Sequence, residues 1–299
     1  MSNKSLKWLF LIFLSLVWGT SLFLVKKATL SFTAYQVGAL IMVFSAIILL
    51  PFAYKSLKNI KRKHLGPLLI IAIFSTFIPS FMFTIAISKI GVSVTSILNS
   101  LTPLNTLLLG FLMYNLRFSK NQVIGLLLGF VGLLVYFLAG NSFKGSGEYI
   151  YSFLVIFSSI GYALNSNLIM NKLQDLGAIT ITTATFLITL VPSLLVLYFT
   201  DFFEVYDGSK SQINSLIYIL FKALIGTALA MIVFNKLVKI SSAVFATTVT
   251  YLIPLVALIW GYFDGEKLTF WQFFSGVLIL FGVYISTKLK SKKNESKKY

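Results

Sequence analysis

Ten apolar runs of roughly 20 residues follow one another along this chain, at 6–25, 32–54, 66–88, 92–115, 119–139, 149–170, 178–199, 213–236, 241–263 and 269–288. Each is long enough to cross about 30 Å of hydrocarbon as a helix. A backbone inside a bilayer has to satisfy its own hydrogen bonds, so such runs commit the chain to helices. Charged residues make up only 11% of the sequence, against roughly 25% in soluble domains, too few to coat a water-soluble globule. The sequence therefore specifies an all-α polytopic membrane protein with ten transmembrane helices. The first run lacks a small-residue cleavage site and leads directly into the second, so it is expected to stay as a helix rather than leave as a signal peptide.

The formal net charge is +17. In a soluble chain that would point to nucleic acid, but here the positions of the charges assign them to topology. With the N-terminus in the cytoplasm, 18 of the 25 lysines and arginines fall on the inner side, among them Lys55, Lys58, Lys61, Arg62 and Lys63. The positive-inside rule then places both termini in the cytoplasm. The expected partners are the lipid bilayer and a small-molecule substrate, not nucleic acid, and oligomeric state stays open. Residues 289–299 read as a basic, solvated cytoplasmic tail.

Several chemistries lack their residues. Cysteine is absent and His64 is the single histidine, which leaves no disulfide framework and no histidine or thiolate metal site. His64, beside Lys61, Arg62 and Lys63, is expected in a solvated loop. No acidic residue lies in a span core, so neither an intramembrane catalytic centre nor a carboxylate proton relay has a candidate. Gly145-Ser146-Gly147 is a loop without a phosphate-binding pattern around it. No catalytic residue, metal or cofactor is expected.

Two stretches repeat: SILNSLTPLNTLLLGF at 96–111 and TTVTYLIPLVALIWGY at 247–262. Proline is eighth and glycine fifteenth in both. Each follows a Lys-Ile pair, Lys89-Ile90 and Lys239-Ile240, with a one-residue slip. Gly125 and Gly276 keep the 151-residue offset of Pro103 and Pro254. The chain reads as two copies of five spans, 1–140 (helices 1–5) and 141–288 (helices 6–10). Five is odd, so the second copy enters the membrane from the opposite side, which makes an inverted repeat. Such halves can rock so that a midplane site faces each side in turn.

Both Pro-centred spans carry polar stripes. Thr95, Asn99, Thr102 and Thr106 share one helical face in the fourth span, and Thr247, Thr250, Tyr251 and Pro254 do so in the ninth. Pro103 and Pro254 are expected to bend their helices, because proline removes a backbone donor. A polar stripe faces either a neighbouring helix, as hydrogen-bonding glue, or a wet cavity; both readings stay open.

With these residues in hand, the chain resembles the drug/metabolite transporter superfamily, specifically the EamA-type ten-helix bacterial transporters. Val17-Trp18-Gly19-Thr20-Ser21, the two Pro-centred spans, Asp264-Gly265-Glu266-Lys267-Leu268-Thr269 and the pattern from Gly276 to Gly282 carry the likeness. It covers nearly the whole chain and implies small-solute transport, often export of amino acids or other metabolites. Two departures stand out: Tyr114-Asn115-Leu116-Arg117 replaces an acidic turn, and Ile41 stands where many relatives have an arginine.

The remaining candidates are single residues. Trp18 sits mid-span, as a cavity wall or as ordinary packing beside Gly19. Trp8 and Trp271 lie near span ends as interfacial anchors. Tyr162 and Asn165 extend the polar stripe of Ser158 in the sixth span, whereas Asn167 and Asn171 read as caps near the cytoplasm. Gly125 and Gly129 form a GxxxG motif suited to packing inside the bundle. Lys222 is the one cation well inside a span, held by snorkelling or a carbonyl, or else facing substrate. The expected function is a secondary transporter or facilitator exporting a small metabolite, with an amino acid as the leading substrate class. A broad drug exporter is the alternative within transport, and a non-transporting scaffold or receptor the alternative outside it.

Overall fold

The computed structural model of the chain describes residues 3–139, 150–263 and 270–287. The 264–269 turn, Gly145-Ser146-Gly147 and the basic tail lie outside the described residues. Within them the protein is all helix, and each expected span coincides with one helical segment. The first five are Asn3–Ala28, Ala34–Lys58, Arg62–Val92, Val94–Tyr114 and Lys120–Ala139. The second five are Ile150–Lys172, Ala178–Phe199, Lys210–Ile240, Ala243–Thr247 continued by Val249–Phe263, and Phe270–Thr287. The eighth span starts earlier than its apolar run because Ser209 caps it, its hydroxyl accepting the Gln212 N–H.

The two halves pack as inverted copies. The third and fourth spans pack on the sixth, and their counterparts, the eighth and ninth, pack on the first. The second span packs on the seventh and the fifth on the tenth, each pair being its own counterpart. Both halves also deviate from the α-helix at matching places. The third span carries a π-helical stretch at Ile71–Phe77 and the eighth one at Leu224–Leu229. The break between third and fourth spans is made by Gly91, whose φ of 77° suits a residue without Cβ. The corresponding break, at Ser241 and Ser242, is closed by the Ser242 hydroxyl accepting the Phe245 N–H at 3.1 Å. The Tyr114-Asn115 turn ends the fourth span with Asn115 in the left-handed conformation (φ 50°), and the Leu116 N–H closes onto the Gly110 carbonyl.

Glycine sets the close packing of the fifth and tenth spans. A Cβ on Gly125 would lie 2.6 Å from the Gly282 carbonyl oxygen, and one on Gly282 would lie 2.5 Å from the Gly129 nitrogen. The GxxxG motif thus joins the fifth and tenth spans inside the bundle. Trp271 is exposed at its span end, whereas Trp8 packs edge-on against Phe245 at 5.3 Å between ring centres.

His64 corrects the sequence expectation. It is 1% exposed, inside the first turn of the third span. Its Nδ1 accepts the Lys61 N–H at 3.0 Å, so the ring proton sits on Nε2 and is donated to Asp175 Oδ2 at 3.0 Å. Lys63 approaches the same oxygen at 2.6 Å. The Lys63 ammonium, and then His64, hold the Asp175 carboxyl well below the usual carboxylate range. This contribution to stability is present above the ordinary carboxylate pKa and is lost as pH falls through the lowered folded value. The histidine is buried because Asp175, on the loop between the sixth and seventh spans, reaches back to satisfy it.

Gly282→Val should lower the thermal unfolding midpoint in detergent strongly, since overpacking of about 1–3 kcal/mol is typical and the colliding atoms here are backbone. Gly276→Ala, whose Cβ would meet only Leu255 Cδ2 at 3.4 Å, should be tolerated.

Candidate functional site

The two proline positions organise the centre of the bundle. Pro103 cannot donate to the Asn99 carbonyl; the Thr102 hydroxyl donates to it instead, at 2.6 Å. Pro254 cannot donate to the Thr250 carbonyl; the Ser100 hydroxyl, from the other repeat, reaches it at 2.9 Å and shares its one proton between this carbonyl and that of Ser96 at 3.0 Å. In a medium without water, each free carbonyl would cost several kcal/mol. The helix consequences differ. The fourth span breaks at Ser100 and Leu101 and restarts at Thr102, with Pro103 in its first turn. The ninth span breaks at Thr248, and Pro254 stays inside the continuing helix. The break thus lies six residues before Pro254, and Ser100 reaches the carbonyl that this proline strands.

A cavity of about 170 Å³ lies between the repeats at this level. Trp18, Asn99, Thr102, Tyr162, Asn165, Lys222 and Thr250 all line it, as the sequence led one to expect. Tyr251 does not. It is fully buried, its hydroxyl donates to the Leu126 carbonyl at 2.9 Å, and its ring fills the space beside Gly129. One residue past Thr250 is a turn of about 100°, which carries Tyr251 to the fifth span.

The fourth-span stripe serves both of the uses left open. Asn99 and Thr102 reach the cavity. Thr106 and Asn105 tie the span to the sixth: the Thr106 carbonyl accepts Asn167 Nδ2 at 2.9 Å, and Asn105 Nδ2 donates to Ser159 Oγ at 2.8 Å. Asn167 is therefore a buried tie rather than a cap near the cytoplasm.

The Val17–Ser21 motif acquires a physical reading. Trp18 Nε1 donates to the Gly226 carbonyl at 3.0 Å, and its ring lies 5.4 Å from Phe234. Gly19 lets the ninth span approach, since a Cβ there would lie 2.6 Å from Val256 Cβ. Ser21 accepts from Lys222 Nζ at 3.2 Å. Lys222 also donates to the Gly226 carbonyl at 3.3 Å, which the π-helical stretch turns toward the cavity. No carboxylate among the described residues pairs with this ammonium.

Sequence reading missed the third span's contribution. Ser75, Thr76, Ser80 and Thr84 line the cavity; Thr76, Ser80 and Thr84 follow the ordinary i, i+4, i+8 spacing of one helix face, the signal that could have found them. Ser75 Oγ, Thr76 Oγ1 and Asn165 Oδ1 are buried without a hydrogen-bond partner among the described residues. Such atoms are rare in native interiors and call for an explanation at each site. Ile41 also lines the cavity, and Lys222 is the one cationic side chain among its described lining residues.

With the fold and cavity established, the comparisons with known proteins decide the class. The EamA-like transporter family matches residues 6–138 and again 149–288. The chain belongs to this family. It is similar to an uncharacterized transporter of Archaeoglobus fulgidus, 23% identical across 93% of this chain and 98% of that one. An uncharacterized transporter of Clostridium kluyveri is 21% identical, covering 88% and 86%. A solved structure titled only as the crystal structure of a protein shares the fold, with a TM-score of 0.73 at 16% identity over 96% of this chain and 97% of that one. This EamA-type protein is a multi-pass membrane transporter.

Thr102→Val should destabilise the protein by about 1–3 kcal/mol, because it strands the Asn99 carbonyl. Thr76→Val, which removes an unpartnered hydroxyl, should leave the unfolding midpoint unchanged or raised. Thermal unfolding of the two variants in detergent checks the contrast.

Proposed function

We propose that this protein is a secondary transporter that exports a small amino acid by alternating access. We place it in a bacterial inner membrane, with both termini in the cytoplasm and the two repeats at 1–140 and 141–288. The carrying observation is the cavity between the repeats, where Lys222 and the unpartnered atoms of Ser75, Thr76 and Asn165 surround about 170 Å³. A cavity of about 150 Å³ takes benzene, so this one suits a solute of roughly amino-acid size. That dimension favours a metabolite over the broad drug exporter.

The chemistry supports the same class. A carboxylate brought to Lys222 Nζ gives the ammonium a counter-charge that no described protein group supplies, and Asn165 Oδ1 is an acceptor suited to an ammonium. Apolar walls from Leu22, Met42, Phe83 and Ile253 accommodate an aliphatic side chain. These residues bind and shield; the work of transport is the exchange of the cavity between the two membrane faces. The topology rests on the basic residues concentrated at the N-terminal end of the bundle.

Counterflow in proteoliposomes across an amino-acid panel tests the reading. Labelled substrate should accumulate against preloaded unlabelled substrate. Lys222→Met should keep the protein folded and raise the KM for carboxylate-bearing substrates about tenfold, the equivalent of one hydrogen bond to a charged group. Lys222→Arg should recover part of the loss, since charge returns with different geometry. An unchanged KM in Lys222→Met would remove the carboxylate from the ammonium.

A further inference from the structure

The inverted repeat lets each contact at one end of the bundle be compared with its counterpart at the other. In the first and sixth spans a 144-residue offset relates Trp18 to Tyr162 and Ser21 to Asn165, all four on the cavity wall. In the third and eighth spans a 151-residue offset relates Thr76 to Thr227, Ser80 to Met231 and Phe83 to Phe234, again all on the wall. Under these offsets His64 corresponds to Ser215, and Asp175 to Ser31. Both pairs are joined: His64 to Asp175 at 3.0 Å and Ser215 to Ser31 at 3.0 Å. A contact made at both ends does not distinguish them.

Several contacts are made at a single end, Lys63 to Asp175 at the basic end and Gln36 to the Thr200 carbonyl and Ser31 to Ser211 at the other. One further such contact has a lysine available at both ends. Lys239, at the last turn of the eighth span, donates to the Gln174 carbonyl at 2.7 Å and to the Leu176 carbonyl. This ties the eighth span to the loop between the sixth and seventh. Both ends carry a buried apolar core, with Leu14, Leu68, Ile71, Leu237 and Phe245 at this one and Leu22, Val25, Phe32, Ile87 and Val92 at the other. The cavity wall takes in Leu22, Val25 and Ile87 of the second and none of those five of the first. The counterpart of Lys239 is Lys89, in the matching Lys-Ile pair, and the counterparts of Gln174 and Leu176 are Leu30 and Phe32. Lys89 is exposed and lies over the Tyr151 ring at 5.8 Å. The Leu30 and Phe32 carbonyls accept no hydrogen bond among the described residues. The cavity extends toward this end, reaching Val25 and Ile87.

We propose that Lys239 and Lys89 are alternating hooks: Lys239 on the 6–7 loop carbonyls closes the basic end in this state, and Lys89 on the Leu30 and Phe32 carbonyls closes the other end in the opposite state. The one-residue slip between the two Lys-Ile pairs is absorbed by the four-carbon lysine arm. Backbone carbonyls are suitable partners because they bind an ammonium firmly without fixing it as a buried carboxylate would. Closing one end requires the other hook to release, since both loops cannot meet their spans while the cavity lies between them. When the basic end opens, Val238, the counterpart of Ile87 and now fully buried, becomes a wall residue of the cavity.

The inference rests on alternating access, and thiol labelling tests it without needing a substrate. The chain has no native cysteine, so Val238→Cys reports opening of the basic end and Ile87→Cys opening of the other. In proteoliposomes Lys239→Met should raise labelling of Val238→Cys about threefold to tenfold, the range expected for a partly exposed charged hydrogen bond, and lower labelling of Ile87→Cys. Lys239→Arg should behave as wild type. Lys89→Met, a surface substitution that leaves folding intact, should act oppositely and reverse the Val238→Cys increase when combined with Lys239→Met. A Lys239→Met increase that Lys89→Met does not reverse would overturn the hook exchange and leave alternating access standing. Val238→Cys labelling that is equally low in all variants would overturn both.

Discussion

Two backbone carbonyls in the middle of the membrane, at Asn99 and Thr250, have lost their helical donors to Pro103 and Pro254. Lipid offers no substitute donor, so the protein has to supply one. For Asn99 the donor is local, the Thr102 hydroxyl, and the fourth span yields by breaking. For Thr250 the donor is Ser100, on the break of the fourth span itself. The distortion of one helix therefore satisfies the other. This cross-repeat bond holds the two Pro-centred spans against each other at mid-depth and leaves Asn99, Thr102 and Thr250 facing the cavity beside it.

The same logic of displaced backbone recurs in the third and eighth spans. Their π-helical stretches turn polar groups inward at matching depths, but the two sequences use the opportunity differently. The third span presents Ser75 and Thr76, and the eighth presents the Gly226 carbonyl, which gathers the Trp18 indole and the Lys222 ammonium. The cavity is consequently symmetric in construction and asymmetric in charge. A single cation on one wall gives an anionic group a preferred orientation, which a symmetric site would lack.

Much of this was legible from residue order. Span number and the inverted repeat follow from apolar run length and the Pro103/Pro254 register, and of the eight polar or aromatic residues singled out in the sequence seven line the cavity. Tyr251 was misplaced because Thr250 and Tyr251 are adjacent, and spacing around a break cannot say which of two neighbours faces the cavity. The third-span stripe of Thr76, Ser80 and Thr84 was legible too, at i, i+4, i+8 spacing, and only Ser75 beside it falls off that period. His64 was assigned to solvent because its partner, Asp175, is 111 residues away, and no local pattern joins them. The placements of Tyr251 and His64 depend on a helix break and on a long-range partner, and hydropathy encodes neither.

The measurement that bears most directly on the account is a double-mutant cycle between Ser100 and Pro254, read by thermal unfolding in detergent. In the native background Ser100→Ala strands the Thr250 carbonyl and should cost about 1–3 kcal/mol. In Pro254→Ala the backbone N–H of residue 254 can reclaim that carbonyl, so the same Ser100→Ala change should cost only a few tenths of a kcal/mol, leaving a coupling energy above about 1 kcal/mol. Equal costs of Ser100→Ala in the two backgrounds would contradict the account, because the serine would then not be standing in for the donor that proline removes.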